Sequence, residues 1–268
     1  MQRRKLFVIC AAYLLLVTCA EVLMIYNPKA GIALHAVILF TLLLHSGMES
    51  DKGKSLSTFL MALVLAPLIR ILSLSMPFIQ FSKISGSPLI SGFMLISIPI
   101  FVAIFTCMWV QGLRAKEVGL YLSKLKHTPI EAGVILLAIP VGITEYLILE
   151  PAILQGSGSG AVNFITASLI LIVCTGFLEE LAFRGLILHN AIKLMSKWWG
   201  ILFVSTLFGV LHVGNLALWD CVLAFSLGFI YSIVREKTGS IYMISISHGI
   251  INIILFLITP TIAITIFP

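Results

Sequence analysis

Three short patterns in the last hundred residues place acid, base and amide groups in otherwise apolar stretches. They are Glu179-Glu180-x-x-x-Arg184, Phe208-x-x-x-His212 and His248-x-x-x-Asn252. Hydrolysis of an amide needs an activated water, a proton for the departing amine, and donors aimed at the developing oxyanion. Glu179 with His212 can hold and deprotonate a water. His248 and the Asn252 amide can stabilise the oxyanion, a donor type worth about 3 kcal/mol each in comparable sites. Two histidines and a carboxylate (Glu179, His212, His248) also match a catalytic zinc ligand set. A divalent metal such as zinc is therefore compatible with these residues, but the His-Glu-x-x-His pair of common zinc proteases is absent and the chemistry does not require a metal.

Within each pattern the i, i+4 spacing puts both residues on one helix face. Glu180 stands N-terminal to Arg184, the favourable order for an ion pair. Glu179 is rotated by about 100° from Glu180, so the two acids are not expected to share a partner: Glu180 pairs structurally and Glu179 faces a cavity. Phe208, one turn before His212, is a supporting position.

The elements carrying these groups are read from hydropathy. The chain has 268 residues, 60% hydrophobic and 10% charged, with mean hydropathy +1.13. So few charges cannot cover a soluble core of this size, whereas a membrane bundle needs no such cover. Candidate spans lie near residues 6–26, 31–45, 57–76, 88–111, 129–149, 163–192, 199–213, 217–234 and 240–259. The second and seventh are short, so eight or nine cross the bilayer. The fold class is an all-α polytopic transmembrane helical bundle. The start, basic at Arg3 to Lys5 and then apolar through Tyr26, resembles a signal peptide but is long enough to remain as an uncleaved first span.

The net charge of +6 is membrane topology rather than a nucleic-acid footprint. With the N-terminus in the cytoplasm, thirteen Lys and Arg fall on the inside and only Lys29 and Lys83 outside, a positive-inside bias that sets orientation. The reading is a multi-pass cell-membrane protein with its N-terminus cytoplasmic and no nucleic-acid partner. Trp109, Trp198 and Trp199 fall at cytoplasmic span ends, where interfacial indoles belong.

Two interruptions organise the chain. Arg114 to His127 is basic and amphipathic, a cytoplasmic surface helix or loop. Gln155 to Gly160, QGSGSG, is a flexible external loop. The chain divides into N-terminal membrane helices, residues 1–127, and a C-terminal core, residues 128–268, holding all three patterns; both are parts of one bundle.

Depth tests whether the patterns can meet. At about 1.5 Å rise per residue, Glu180 lies roughly 20 Å from the cytoplasmic boundary at Lys193, and His212 about 22 Å from Lys197. His248 and Asn252 lie roughly 16 to 22 Å beyond Lys237. The polar groups of three helices thus reach similar depth in a hydrocarbon core about 30 Å thick.

With its motifs reading EELAFR, FGVLH and HGIIN, the chain resembles the CAAX-processing and bacteriocin-processing (CPBP, or Abi) family of intramembrane endopeptidases over roughly residues 165–255. The resemblance implies a CAAX-protease-like helical core and a membrane-associated or lipidated peptide or protein substrate. It assigns water activation to Glu179 and His212 and the oxyanion hole to His248 and Asn252. Glu180 and Arg184 match its remaining motif positions, and both glutamic-protease and metalloprotease labels are used in that family. A non-catalytic membrane immunity protein of the same fold is the alternative.

The other polar residues carry blander expectations. His35, His45, His127 and His189 match no motif and read as structural or interfacial. Arg70, after Pro67, is expected to pair with Glu21 or Glu145. Asp220, near an external helix end, reads as solvated or capping. The five cysteines lack metal-type spacing and read as small buried hydrophobes.

Overall fold

The computed structural model describes residues 3–49, 54–75, 88–151 and 161–266. All regular structure among them is helical. Nine of their helices are long and apolar enough to cross a membrane: Arg4–Tyr26, Pro28–Glu49, Ser55–Ser73, Gly92–Gln111, Leu125–Leu149, Phe164–Leu194, Lys197–Asn215, Leu218–Thr238 and Tyr242–Ile262. They are called the first to ninth spans below. The chain is an all-α, multi-pass membrane protein.

The second span is not short. It has 22 residues, because Asn27 and Pro28 restart the helix directly after the first span. The Asn27 side chain accepts from the Ala30 N–H at 3.1 Å, a capping bond, and Pro28 occupies the position where its missing N–H costs nothing. The seventh span, with 19 residues, is long enough to cross by itself. The third span is interrupted at Val64, between helices Lys54–Leu63 and Leu65–Ser75. Pro67 cannot donate to Leu63, and its ring crowds that carbonyl.

The stretch from Arg114 to His127 is a string of turns ending in one 3₁₀ turn, Leu125–His127, and not a surface helix. It is held by tertiary bonds. Arg235 Nη2 donates to the Glu117 carbonyl at 2.6 Å, Tyr121 Oη to the Thr238 carbonyl at 3.3 Å, and the Ile241 N–H to the Gly119 carbonyl at 3.1 Å. At Gly239, which ends the eighth span at φ 77°, an added Cβ would fall 1.8 Å from Tyr121 Oη. Within the loop, the Arg114 backbone N–H draws the Glu117 carboxyl below the ordinary glutamate range. The Gln155 to Gly160 loop lies outside the described residues.

One apolar core runs through both halves of the chain. Val17, Phe59 and Ile104 belong to it alongside Leu181, Ile201 and Ile251. Phe59 and Phe203 meet edge to face at 5.6 Å across that division. Large apolar side chains such as Phe7, Phe40, Leu136 and Trp109 face outward, as a lipid-solvated bundle allows.

Glu21, fully buried, is paired. Arg70 takes Glu21 as its partner through two bonds of 2.6 Å, one each to Oε1 and Oε2, and His35 Nε2 stands 3.0 Å from Glu21 Oε1. This cluster ties the first three spans together and abuts the turn that follows His212: a Cβ on Gly214 would lie 3.0 Å from Arg70 Nη2. Asp220 is not solvated. It is 1% exposed and accepts from Asn215 Nδ2 at 2.7 Å, because the 3₁₀ turn Val213–Asn215 that ends the seventh span brings Asn215 back over the start of the eighth. Among the remaining histidines, His45 Nδ1 bonds Tyr13 Oη at 2.8 Å. The five cysteines are unpaired, and of them Cys10 and Cys107 are buried.

Candidate active site

The sixth span carries both motif acids and is wound unevenly. Leu171–Phe177 and Leu181–Ile187 are π-helical, with Leu178–Glu180 as a short α segment between them. Such widened turns recur at functional sites, because they re-aim side chains without ending the helix. The ninth span crosses this region at very close range. An added Cβ on Gly176 would lie 2.7 Å from both the Gly249 nitrogen and the Ser245 carbonyl oxygen, and one on Gly249 2.7 Å from Ile172 Cα. Two glycines facing each other let the backbones touch, the usual device for close helix approach in membranes. This contact brings His248, beside Gly249, up to the paired acids. Thr175 locks it further: its hydroxyl donates to the Leu171 carbonyl and accepts from Asn252 Nδ2 at 2.8 Å.

Glu180 is the hub. Its Oε1 accepts from Arg184 Nη1 at 2.9 Å and from His248 Nδ1 at 2.9 Å. Glu180 and Arg184 are both fully buried. The guanidinium lies 4.3 Å above the Phe208 ring, with Phe183 and Tyr231 at 5.9 and 5.8 Å. Phe208 thus joins the first motif to the second by a desolvated cation–π contact. Gly228 leaves the space: a Cβ there would lie 3.1 Å from Arg184 Nη2.

Glu179 points away from this hub, with its side chain 29% exposed, and its Oε2 lies 3.9 Å from His248 Nε2. The expectation that the two acids have no common partner therefore fails. His248 stands between them because the two nitrogens of one imidazole face opposite ways. Glu179 makes no ion contact with His212. The His212 Nδ1–H donates to the Phe208 carbonyl at 2.9 Å; a carbonyl can only accept, so the neutral ring keeps its lone pair on Nε2.

His212 and His248 meet across a cavity of about 20 Å³ that Phe208, Tyr231 and Glu145 also line, enough for one water. The Tyr231 ring is fixed in turn. Ser247 donates to the Val134 carbonyl at 2.8 Å, so Tyr231 Oη donates to Ser247 Oγ at 2.8 Å. Sequence reading missed Glu145 as a member of this group. Its only signal was an acid inside an apolar span, and nothing local shows which helix that span packs against.

The metal set does not assemble. Among the described residues no three His, Cys, Asp or Glu side chains are placed to hold an ion. Glu179 reaches one imidazole only, while the Nδ1 bonds of the two histidines leave both Nε2 atoms toward the cavity side without a hydrogen-bond partner.

Residues 161–254 match the family model described as Type II CAAX prenyl endopeptidase Rce1-like. The matched segment contains all three motifs and the glycine crossing that joins them. It agrees with the resemblance to the CAAX-processing family and, at the level of the family, with an intramembrane protease acting on a membrane-associated substrate. Comparison with curated proteins and with solved structures gives no match.

Proposed function

We propose that this protein is an intramembrane endopeptidase that hydrolyses a peptide bond of a membrane-associated or lipidated peptide or protein. In this reading a water held by Glu179 and His212 loses its proton to that pair and attacks the acyl carbon. His212 Nε2 is the available acceptor, since its Nδ1–H is spent on Phe208. His248 and Asn252 donate to the oxyanion. In its doubly protonated form the His248 ring donates through Nδ1 to Glu180 and presents Nε2–H to the substrate. Asn252 Nδ2 has one N–H on Thr175 and a second to give. Glu180, Arg184 and Phe208 position these groups. The chain acts in the cell membrane with its N-terminus cytoplasmic.

The observation carrying the proposal is the 3.9 Å approach of Glu179 to His248, from separate spans, beside a water-sized cavity shared with His212. Quantitative peptidomics of membranes holding either the wild type or Glu179→Gln tests it. At least one cleavage product is expected to vanish in the variant at equal protein level. A protection phenotype that survives Glu179→Gln, with no product lost, would establish the non-catalytic immunity reading instead.

A further inference from the structure

The fifth span brings a third carboxylate to the site. Glu145 belongs to none of the three motifs, yet it lines the same cavity as His212 and His248. It is part-buried and makes no hydrogen bond or ion pair among the described residues, while the two fully buried glutamates each have partners: Glu21 has Arg70, and Glu180 has Arg184 and His248. An acid in hydrocarbon with no cation of its own is costly and marks function by default. The charged and titratable groups facing it are His212 from the seventh span, Asp220 and Tyr231 from the eighth, His248 from the ninth and Glu179 from the sixth.

Hydrolysis as described above leaves one task without a group. The departing amine needs a proton, and the other cavity-lining groups already have tasks: Nδ1 of His212 is on Phe208 and its Nε2 receives the water proton, Nδ1 of His248 is on Glu180 and its Nε2–H faces the oxyanion, and Tyr231 Oη is on Ser247. We propose that Glu145 is a further catalytic residue, the proton donor to the leaving nitrogen; the proposal rests on the hydrolase reading. Water adds its oxygen to the acyl carbon, and its proton goes to the Glu179–His212 pair. Glu145 passes its carboxyl proton to the amide nitrogen as the C–N bond breaks. The proton held by the base pair then returns to Glu145 across the cavity. One water is consumed, one acid and one amine are released, and the enzyme is restored.

The test uses the full-length protein in liposomes and a quenched-fluorescence peptide spanning the bond whose cleavage Glu179→Gln abolishes. A second peptide carries an ester in place of that amide, since an alkoxide leaves with less need of protonation. Loss of a general acid costs about 10²- to 10⁴-fold. Glu145→Gln is expected to lower kcat on the amide by about 100-fold or more, with KM nearly unchanged and a much smaller loss on the ester. Glu145→Asp, which keeps a carboxyl, should recover much of the amide rate; this variant also decides the matter if Glu145→Gln fails to fold. Wild-type amide turnover by Glu145→Gln, equal losses on amide and ester, or an Asp variant no better than Gln would each overturn the role of Glu145 while leaving the hydrolase reading intact. If Glu179→Gln abolishes no cleavage, the hydrolase reading fails and this role with it.

Discussion

His248 Nδ1 and Arg184 Nη1 each lie 2.9 Å from the same atom, Glu180 Oε1. A single buried carboxylate oxygen therefore joins the sixth span to the ninth, and through the guanidinium resting on Phe208 to the seventh. The paired acids of the first motif divide accordingly: Glu180 joins the three helices, and Glu179, half-buried, turns the other way, toward His248 Nε2.

That division separates two variants. Glu180→Ala strands a fully buried arginine, a change that costs about 3–5 kcal/mol in comparable buried pairs, so a large drop in thermal midpoint in detergent is expected. Glu179→Gln should unfold within a degree or two of the wild type and still yield no product. A Glu180→Ala protein as stable as the wild type would contradict the hub.

The Gly176–Gly249 crossing makes a steric prediction. Gly249→Ala places its Cβ against Ile172 backbone, and over-packing of this kind costs about 1–3 kcal/mol. It should also push His248 away from Glu179, so activity falls further than stability does. Gly133→Ala, where an added Cβ meets nothing within 4 Å, is the neutral control. Full activity in Gly249→Ala would show that the site tolerates a wider crossing.

The Glu21–Arg70–His35 cluster should behave as one unit. Glu21→Leu alone leaves Arg70 uncompensated and is expected to destabilise by about 3–5 kcal/mol, whereas Glu21→Leu combined with Arg70→Met should regain most of that loss. Additive losses in a double-mutant cycle of unfolding midpoints would mean the two side chains are not coupled.

Metal removal should have no effect. The Glu179, His212 and His248 side chains are not grouped as ligands, so dialysis against 1,10-phenanthroline is expected to leave turnover unchanged. Lost activity that zinc restores would mean that Glu179 and the Nε2 atoms of both histidines gather around an ion, with the Nδ1 hydrogen bonds kept as its outer support.

Much of this was legible from residue order alone. Nine apolar stretches announce eight or nine spans, because a helix in lipid must satisfy its own backbone and its length is fixed by hydrocarbon thickness. The Glu180–Arg184 pair and the shared face of Phe208 and His212 follow from helical period, which is equally local. The full length of the second span was also there to be read, in the cap formed by Asn27 and Pro28.

What depends on neighbours was not legible. Arg70 had two acids within reach of a plausible pairing, and only the packing of the third span on the first chose Glu21. Asp220 looked solvated until the turn through Asn215 covered it. The amphipathic loop from Arg114 to His127 had helical character in composition, but tertiary bonds to the eighth span hold it as turns.

Residue order by itself determined the membrane class, the spans and three helix faces armed with acid, base and amide, because hydropathy and helical period act within a single segment. Only the tertiary structure decided that His248 lies between the two motif acids and that Glu145 joins the cavity. Those are contacts between helices far apart in the chain, set by two glycines and a buried ion pair whose partners no local pattern names.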